Sequence, residues 1–316
     1  MAASAAGAGV APARHEGTSA MSHASWTVDE EGIRLDRSLA TNLECSRSRA
    51  RSLLQLGAVL VDGHIVRDKG YLLDAGQEVQ VLEAPQQLDQ LAPAKGELVV
   101  LTEGDGWVAV DKPAGLPVHP LRADETDSLL QRVLAHYPQI DGVGEGGLRS
   151  GVVHRLDVDS SGVQLFALDE PAFSRLRVGF AGHRFDKSYR AIVHGVPEQH
   201  GALELDLEIV RHRPAKVGAL AAGEGSKASR RCPLRWRLRE VLGDCSLVEV
   251  RPRTGFLHQI RVSFAWLGHP LLGDALYGQA DAPRHMLHAS HIEMGDIEAT
   301  AEDPADFKAV LESLRS

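Results

Sequence analysis

A short segment at residues 85–97 divides the chain. It is rich in proline, glutamine and alanine and lacks the apolar periodicity of a helix or a strand, which is typical of a linker. A chain of 316 residues is long enough for two domains. The linker therefore predicts a small domain at residues 31–84 and a larger one at residues 98–316. Residues 1–30, dominated at their start by alanine, glycine and serine, are expected to form a disordered tail.

The composition is that of a globular protein without membrane spans. Apolar residues make up 43% of the chain and charged residues 24%, and no run has the length of a transmembrane helix. The three cysteines, Cys45, Cys232 and Cys245, are scattered and form no CxxC pair. This usage predicts a reducing, cytoplasmic location and no structural zinc.

Charge is unevenly distributed along the sequence. The net charge is −9, but residues 211–239 hold nine arginines and lysines against Glu224 alone, a local charge of +8. Residues 34–69 carry seven basic and four acidic residues, and residues 291–316 carry two basic and seven acidic ones. A polyanion would meet these local patches rather than the average, although a basic run is as often a solvated surface.

Residues 31–84 carry the pattern of two helices followed by a hairpin. Leucines repeat at helical spacing before Ser46, which is expected to cap a second helix ended by Gly57. Asp62-Gly63 is a tight turn between two short strands. The exposed side of the second helix carries three arginines: Arg47, Arg49 and Arg51. The pattern resembles the S4 RNA-binding domain, and this resemblance implies that the three arginines bind structured RNA.

The larger domain interleaves strands and helices without the regular rhythm of a parallel-sheet protein. This predicts an α+β fold with a central mixed or mainly antiparallel sheet. Residues 128–136 and 304–314 are expected to be helices, and residues 163–167 a buried strand. Residues 211–231 contain glycines and prolines among many basic residues and are expected to form a loop.

The densest chemistry lies in residues 151–167. His154 and Arg155 precede Asp157, and a polar turn at residues 159–162 leads into the expected strand. A carboxylate held between cationic groups and a strand suits covalent catalysis. A capped loop or a structural ion pair would show the same pattern, so the stretch alone leaves these interpretations open.

Motifs elsewhere in the larger domain point to one family. The motifs follow in order as Asp111-Lys-Pro-Ala-Gly115 with His119-Pro120, His154-Arg-Leu-Asp157 with Ser161-Gly162, Lys187-Ser-Tyr189, His258-Gln-Ile-Arg261 with Gly268-His-Pro270, Gly273-Asp274 and Leu276-Tyr-Gly278, and Leu287-His-Ala289. Each is modest evidence, but the ordered set resembles the RluA-type pseudouridine synthases from about residue 97 to the C terminus. With the S4-like segment in front, the chain resembles the two-domain members that modify ribosomal RNA.

The resemblance implies an enzyme that isomerises uridine in structured RNA to its C-glycoside, without a metal or an organic cofactor. Asp157 matches the catalytic aspartate, which either attacks C1′ or abstracts a sugar proton toward a glycal. Arg261 matches the arginine that pairs with this carboxylate. Tyr189 matches the aromatic residue that stacks on the flipped uracil and is able to deprotonate C5. Arg155 resembles the residue that fills the vacated base stack.

Substrate contacts are implied for four further positions: His154, Leu156, His258 and Gln259. Of these, His154 is expected to form a hydrogen bond within its loop rather than to act as a base. The expected partner is ribosomal RNA and the expected state a monomer, with transfer RNA as the alternative substrate. A non-catalytic RNA-binding or chaperone protein is a second alternative, against which the joint presence of Asp157, Tyr189 and Arg261 argues.

Two positions depart from the family pattern, and two patterns imitate metal sites. Val158 stands where a lysine is usual, and Phe256 stands where arginine or a small polar residue is usual. Residues 157–162 imitate a calcium loop, but Leu168 occupies the position of the acidic ligand. No zinc site is expected either, because a strand would place successive members of a histidine series on opposite faces: His285, His288 and His291.

Overall fold

The computed structural model describes residues 22–45, 47–82, 91–122, 125–212 and 214–316. The chain divides into two compact units, Met1–Leu88 and Asp89–Ser316, and the division falls inside the segment predicted to be a linker. A search of the described residues finds no helix with the length and apolarity needed to cross a membrane.

The smaller unit has the helix–helix–hairpin order that its sequence predicts. Its elements are β1 (Ser22–Thr27), β2 (Ile33–Arg34), α1 (Leu35–Asn42), α2 (Arg47–Leu56), β3 (Val59–Val61), β4 (His64–Ile65), β5 (Leu72–Leu73) and β6 (Glu78–Leu82). Four strands form a sheet in the order β1-β6-β3-β4, and β2 pairs with β5. Leu35, Leu39 and Leu54 are fully buried in one apolar core between the helices and the sheet.

The prediction of a disordered tail fails for residues 22–27, which form β1. This strand pairs antiparallel with β6, and Trp26 lies opposite Val79. The indole of Trp26 packs on the core of the unit, and its Nε1 donates a hydrogen bond to Ser38 Oγ at 3.1 Å. The polar local composition gives no strand signal, because the stabilising partners come from β6 and α1. Residues 1–21 and the predicted cap Ser46 lie outside the described residues.

The larger unit is built around one sheet. Its elements are β7 (Val99–Gly104), β8 (Trp107–Lys112), α3 (Leu129–His136), β9 (Ser161–Ala167), α4 (Glu170–Ala181), β10 (Asp186–His194), β11 (His200–His212), β12 (Ala215–Ala221), β13 (Arg230–Leu242), β14 (Cys245–Pro252), α5 (Gln259–Trp266), β15 (Leu287–Met294), β16 (Ile297–Thr300) and α6 (Ala305–Arg315). The ten strands follow the order β12-β11-β13-β14-β10-β15-β9-β8-β7, with β16 also beside β15.

One parallel pairing joins the two halves of this sheet. β9 runs parallel to β15, with Gly162 opposite Ala289, and the other pairings are antiparallel. Gly162 has φ of +109°, and a Cβ at this position would collide with the backbone of Ala289. The predicted α+β fold with a mixed, mainly antiparallel sheet is confirmed.

The two faces of the sheet are covered differently. Tyr189, Val250 and Trp236 lie opposite one another in β10, β14 and β13, so their side chains share one face, called the Tyr189 face below. Helix α5 covers part of this face, and Phe264 makes an edge contact with Trp236 at 5.8 Å between ring centroids. Helix α6 packs on the opposite face, where its Phe307 is fully buried.

The predicted loop at residues 211–231 is confirmed only for residues 222–229, which connect β12 to β13. The flanking parts are strands: β11 continues to His212, β12 spans Ala215–Ala221, and β13 begins at Arg230. Glycine and the basic side chains indicate a loop in the sequence. Residues 215–221 nevertheless form a strand, because β12 bonds along β11 and buries Val217 against its neighbours.

Candidate active site

Asp157 lies in the loop that leads into β9, at the wall of a cavity of about 850 Å³. Its side chain is 20% exposed, so a bound substrate can reach the carboxylate. The structure brings six other residues predicted for the site to the wall of this cavity: His154, Arg155, Leu156, Tyr189, His258 and Arg261. Gln259 lines a smaller cavity that shares Asp157 and Tyr189 with the first.

A buried arginine links Asp157 to a second carboxylate. Arg261, on α5, donates from Nη1 to Asp157 Oδ2 at 3.1 Å. Its Nε and Nη2 donate to the two oxygens of Asp274 at 2.7 and 2.9 Å. Such a two-point contact fixes the plane of the guanidinium. Arg261 therefore presents one rigid, directed N–H to Asp157.

Asp274 is fixed as firmly as the arginine that it holds. It is 1% exposed, and its Oδ1 also accepts the backbone N–H groups of Leu276 and Tyr277. Burial alone would raise the pKa of Asp274, but hydrogen bonds and charge attraction from Arg261 outweigh burial and lower it. Burial likewise opposes the charge of Arg261, but Asp274 and then Asp157 raise its pKa. Both groups stay ionised.

His258 approaches Asp157 from a third side. Its Nε2 lies 3.9 Å from Asp157 Oδ2, and its Nδ1 lies 2.9 Å from the hydroxyl of Tyr277. That hydroxyl accepts the backbone N–H of Val217, which leaves its hydrogen for His258 Nδ1. This assignment places the imidazole hydrogen on Nε2, toward Asp157. Val217 lies on β12, so a strand that replaces part of the predicted loop helps to orient the site.

Tyr189 stands on β10 beside Asp157 and lines both cavities. Burial, and then the negative charge of Asp157, raise the pKa of its phenol, so the group is neutral in the free protein. Lys187, two residues earlier on the same face, donates to the carbonyl of Thr254 at 2.7 Å. Burial lowers the pKa of Lys187 to about 8.

His154 serves the scaffold of the site. Its Nε2 accepts the backbone N–H of Leu165 at 2.9 Å, and its ring stacks on Phe180 with 4.5 Å between centroids. Burial, with a smaller effect of the charge on Lys187, lowers the pKa of His154 to about 3. The side chain of His154 thus bonds to β9 and not, as predicted, within its own loop. That His154 does not act as a base stays a prediction.

Arg155, Leu156 and Gln259 have different surroundings. Arg155 is exposed and makes no hydrogen bond or ion pair with the part of the chain that the structure describes, whereas Leu156 is half-buried. Gln259 is 4% exposed, and its amide oxygen accepts from Thr254 Oγ1 at 2.7 Å and from the backbone N–H of Phe256 at 3.3 Å. Its polar atoms are thus used inside the protein.

Two buried cations hold the loop of Asp157 from behind. Lys112 has no exposed surface and donates to the carbonyls of Pro113, Leu116 and Val158 at 2.7–2.9 Å. Burial lowers its pKa to about 7, against the attraction of nearby carboxylates. Arg284 donates to the carbonyl of Asp159 at 3.0 Å. It also donates to Ser161 Oγ, to the carbonyls of His285 and Leu287, and through a two-point contact to the side chain of Asp306.

The two departures from the family pattern lie at the cavity. Val158 is 48% exposed, and its carbonyl accepts from Lys112, so the loop contact at this position is made by backbone. Phe256 lines both cavities and packs on the cluster around Val217. These positions add no cation to the wall.

The histidine series that imitates a zinc site is used in hydrogen bonds. His285 Nε2 lies 2.9 Å from Ser160 Oγ, His288 Nδ1 lies 3.0 Å from Ser161 Oγ, and His291 bonds Thr300. No group of three or more His, Cys, Asp or Glu side chains in the described ranges is arranged to hold a metal ion. These histidines therefore hold the hydroxyls of Ser160 and Ser161 against β15 and the residues just before it.

The three arginines predicted to bind RNA lie on α2 of the smaller unit. Arg47 is exposed and Arg49 is half-buried. Arg51 Nε donates to Asp36 Oδ2 at 3.2 Å, and this carboxylate also accepts from Arg34. Arg51 thus has a structural bond in addition to its exposed surface.

Four residues of the site have no role predicted from the sequence: Lys112, Asp274, Tyr277 and Arg284. The first three fall within the family motifs, so the motifs could have identified their positions. The contact of Arg261 with Asp274 joins residues 13 positions apart, and the contact of Arg284 with the Asp157 loop joins residues 125 positions apart. Both contacts depend on tertiary packing, so no local spacing in the sequence predicts them.

Comparisons with known proteins give matches in both units of the chain. Residues 106–266 match the RNA pseudouridylate synthase family, and residues 33–79 match the S4 domain. An uncharacterised RNA pseudouridine synthase of Synechocystis is 34% identical over 297 residues, covering 90% of each chain. Ribosomal large subunit pseudouridine synthase D of Zymomonas mobilis is 33% identical over 300 residues, covering 90% of this chain and 92% of the relative.

A solved structure shows the same fold in the catalytic part. Human RNA pseudouridylate synthase domain containing 4 superposes with a TM-score of 0.56 at 22% identity, covering 69% of this chain and 93% of that one. The sequence matches span both units, and residues of several motifs, among them Asp157, Tyr189 and Arg261, line one cavity. The chain therefore belongs to the RNA pseudouridine synthases, as an RluA-type member with an N-terminal S4 domain.

Proposed function

We propose that this RNA pseudouridine synthase modifies ribosomal RNA of the large subunit, with Asp157 as its catalytic group. Two relatives that are 30–33% identical over about nine-tenths of the chain are named ribosomal large subunit pseudouridine synthase D. The S4 domain supports a structured RNA as substrate. From this proposed substrate we infer that the enzyme acts in the cytoplasm. We further propose that it acts as a monomer and without a metal or an organic cofactor.

The observation that carries the assignment is the chain of contacts from Asp157 through Arg261 to Asp274. Asp157 is the reachable end of this chain, and Asp274 is the buried end. Arg261 makes its two-point contact with Asp274, which already neutralises its charge. It therefore orients Asp157 through a single hydrogen bond and leaves the other carboxylate oxygen available for the reaction. A carboxylate with one directed partner and one free oxygen is suited to approach a ribose.

The reaction makes and breaks bonds at C1′. The N1–C1′ bond breaks with its electron pair on the uracil, and the C5–C1′ bond forms after the base has turned. C5 then loses its proton, and N1 gains one. A nucleophilic Asp157 would bond to C1′ and be released when C5 attacks, whereas the glycal route would use it as a base on the sugar. Both routes need the ionised carboxylate held by Arg261.

Tyr189 is proposed to stack on the flipped uracil and to take the C5 proton. Its phenol is neutral in the free protein, partly because Asp157 is negative. For this role the phenol would first pass its hydrogen to N1 of the detached uracil, which gains a proton in the reaction. The phenolate would then take the proton from C5.

The remaining cavity residues are assigned supporting roles. Arg155 is exposed and unpaired among the described residues, which suits insertion into the stack that the uridine leaves. His258 would donate from Nε2 to Asp157 or to the ribose, and Leu156 would supply apolar contact. Gln259 would act by holding the backbone of Phe256 rather than by bonding the substrate. Outside the cavity, Arg47, Arg49 and Arg51 are proposed to contact RNA phosphates.

The substitution Asp157→Asn tests this proposal. We expect pseudouridine formation in large-subunit ribosomal RNA to fall by about 10⁴-fold or more, because the amide neither attacks C1′ nor accepts a sugar proton. Mapping pseudouridine in RNA treated with the variant measures the loss. Asp159→Asn, two residues away in the same loop, is the matched control and should remain active. Full activity of the Asp157 variant would refute the catalytic assignment.

A further inference from the structure

Arginines cluster on the face of the large sheet that lies opposite the Tyr189 face. Side chains alternate along a strand, so the neighbours of Trp236 and Val250 point away from the cavity. Arg237 lies opposite Glu249, and Glu249 lies opposite Arg190. Arg235 lies opposite Arg251 in the next row. These residues, together with Arg239, are called the arginine face.

The positive charge of the arginine face exceeds its negative charge. Glu249 is shared by Arg239 and Arg251, and Arg190 pairs with Asp303. Across the described ranges, the side chains of Arg235 and Arg237 make no hydrogen bond and no ion pair, and both are exposed. Glu240, further along β13, is already paired with Arg315.

A groove of about 720 Å³ lies beside the rows of the arginine face. The arginines that line it, Arg190, Arg239 and Arg251, are paired with carboxylates that line it too, so the groove itself is nearly balanced in charge. The unpaired cations, Arg235 and Arg237, lie outside the groove, along β13. Along β13 the exposed arginines recur every second residue, which is about 6.8 Å. A regular row of cations on a protein with a net charge of −9 is an electrostatic feature that a polyanion would recognise.

We propose that the arginine face binds the phosphate backbone of the substrate RNA, at a segment away from the target uridine. Guanidinium groups bind phosphates through two parallel hydrogen bonds, and Arg235 and Arg237 have all their donors available. The face points away from Asp157, so the bound segment differs from the one in the cavity. An RNA that fills both sites must extend beyond a single stem–loop. The inference rests on the proposed action on large, structured RNA.

The test removes the two unpaired arginines together, as Arg235→Gln with Arg237→Gln. The probes are large-subunit ribosomal RNA transcribed in vitro and a short stem–loop of the same RNA. Dissociation constants are measured over a range of salt concentrations with the full-length protein.

Two further double variants serve as controls. Lys95→Gln with Arg184→Gln is the matched control, because it removes two exposed positive charges elsewhere on the larger unit whose side chains make no hydrogen bond or ion pair with the described residues. Arg235→Lys with Arg237→Lys is the charge-preserving variant, because lysine keeps the positive charge but lacks the planar fork of the guanidinium.

We expect the glutamine variant to bind the long RNA about tenfold more weakly, with the slope of log affinity against log salt reduced by about 1.4–1.8. Its affinity for the stem–loop should match that of the unaltered protein, and the lysine variant should recover most of the loss. Unchanged binding of the long RNA, or a loss no larger than in the control, would overturn the proposal.

Pseudouridine formation by the unaltered protein is measured separately. Failure of the proposed function would appear in that assay, and failure of the present proposal would appear in the binding assay.

Discussion

At the scale of single residues, the site is defined by buried charges that hold one accessible charge. Asp157 is reachable, whereas Arg261 and Asp274 behind it are nearly inaccessible. Removing one member of a buried ion pair leaves an unpaired charge in a low-dielectric environment, and this costs more than the pair contributes. The residues with the largest effect on catalysis therefore include Asp274, which touches no substrate.

The first residue-scale prediction concerns Asp274→Asn. The amide keeps the shape but loses the charge that holds Arg261, so Arg261 should turn toward Asp157 and misplace it. We expect kcat to fall about 100-fold with little change in KM, and the free energy of unfolding to fall by about 3 kcal/mol. Steady-state kinetics and urea unfolding measure the two effects.

A control for this substitution exists in the same loop. Asp281→Asn alters a carboxylate that accepts the backbone N–H of Gly273 and makes no bond to Arg261. This variant should keep the kcat of the unaltered enzyme. Equal effects of the two substitutions would show that Asp274 acts only on loop stability.

The second residue-scale prediction concerns the pH dependence of stability caused by Lys112. Burial lowers the pKa of Lys112 from 10.5 to about 7, so between these values the unfolded chain binds more protons than the folded one. Stability must therefore rise with pH across this window, by at most about 1.4 kcal/mol per pH unit. Below pH 7 both states are protonated and the dependence disappears.

Urea unfolding of the protein and of Lys112→Met from pH 6 to 10 isolates this effect. The difference in unfolding free energy between the two proteins should grow in favour of the unaltered protein above pH 7. A difference that stays constant with pH would contradict the assigned shift.

At the scale of elements, the C-terminal helix α6 is coupled to the catalytic loop. Arg284 joins Asp306 of α6 to the carbonyl of Asp159 and to Ser161 at the start of β9. We predict that Asp306→Asn lowers kcat several-fold without changing KM, because Arg284 loses its anchor and the loop becomes mobile. The loss of stability should be about 1 kcal/mol, since Asp306 is more than a third exposed.

Kinetics of a second variant on α6 separate this coupling from a general effect on the helix. Glu312→Gln changes an exposed carboxylate of the same helix that has no contact with Arg284. It should leave kcat unchanged. If Asp306→Asn also leaves kcat unchanged, α6 has no part in positioning the loop.

The elements that sequence reasoning predicted correctly are those with local signals. Residues 128–136 are a helix capped by Ser128, and residues 163–167 lie within β9. The failures lie where a distant partner overrides local composition. Ser161 looks like part of a turn but is a buried strand residue bonded to His288, and the basic, glycine-containing β12 is stabilised by β11.

The candidate site divides in the same way. The pairing of Asp157 with Arg261 and the approach of Tyr189 could be predicted because all three residues belong to family motifs with an expected role. Asp274 and Lys112 appear in the same motifs, but their function depends on which groups they meet after folding. The sequence carries no signal for the carbonyls that Lys112 bonds, since any residue supplies a carbonyl.

At the scale of the whole molecule, two units with separate cores have different proposed roles, RNA binding for the smaller unit and catalysis for the larger one. The core around Leu35 and Leu39 contains only residues of the smaller unit, and the site residues all lie in the larger one. We predict that deleting residues 1–85 weakens binding of large-subunit ribosomal RNA more than it slows the reaction on bound RNA. Binding curves and single-turnover rates at saturating protein measure the two terms. Unaltered affinity after the deletion would remove the proposed role of the S4 domain.

The parallel pairing of β9 with β15 has a consequence for how the protein acquires activity during synthesis. Ser161 meets His288 across 127 residues of chain, and Asp157 meets Arg261 across 104. When β9 leaves the ribosome, β15 has not yet been synthesised, so the edge of β9 that later pairs with β15 has no partner strand. Closing so long a loop is a slow step. Catalytic competence should therefore arise late, when the last strands arrive, and a nascent chain that lacks β15 should be inert toward the RNA of the ribosome that makes it.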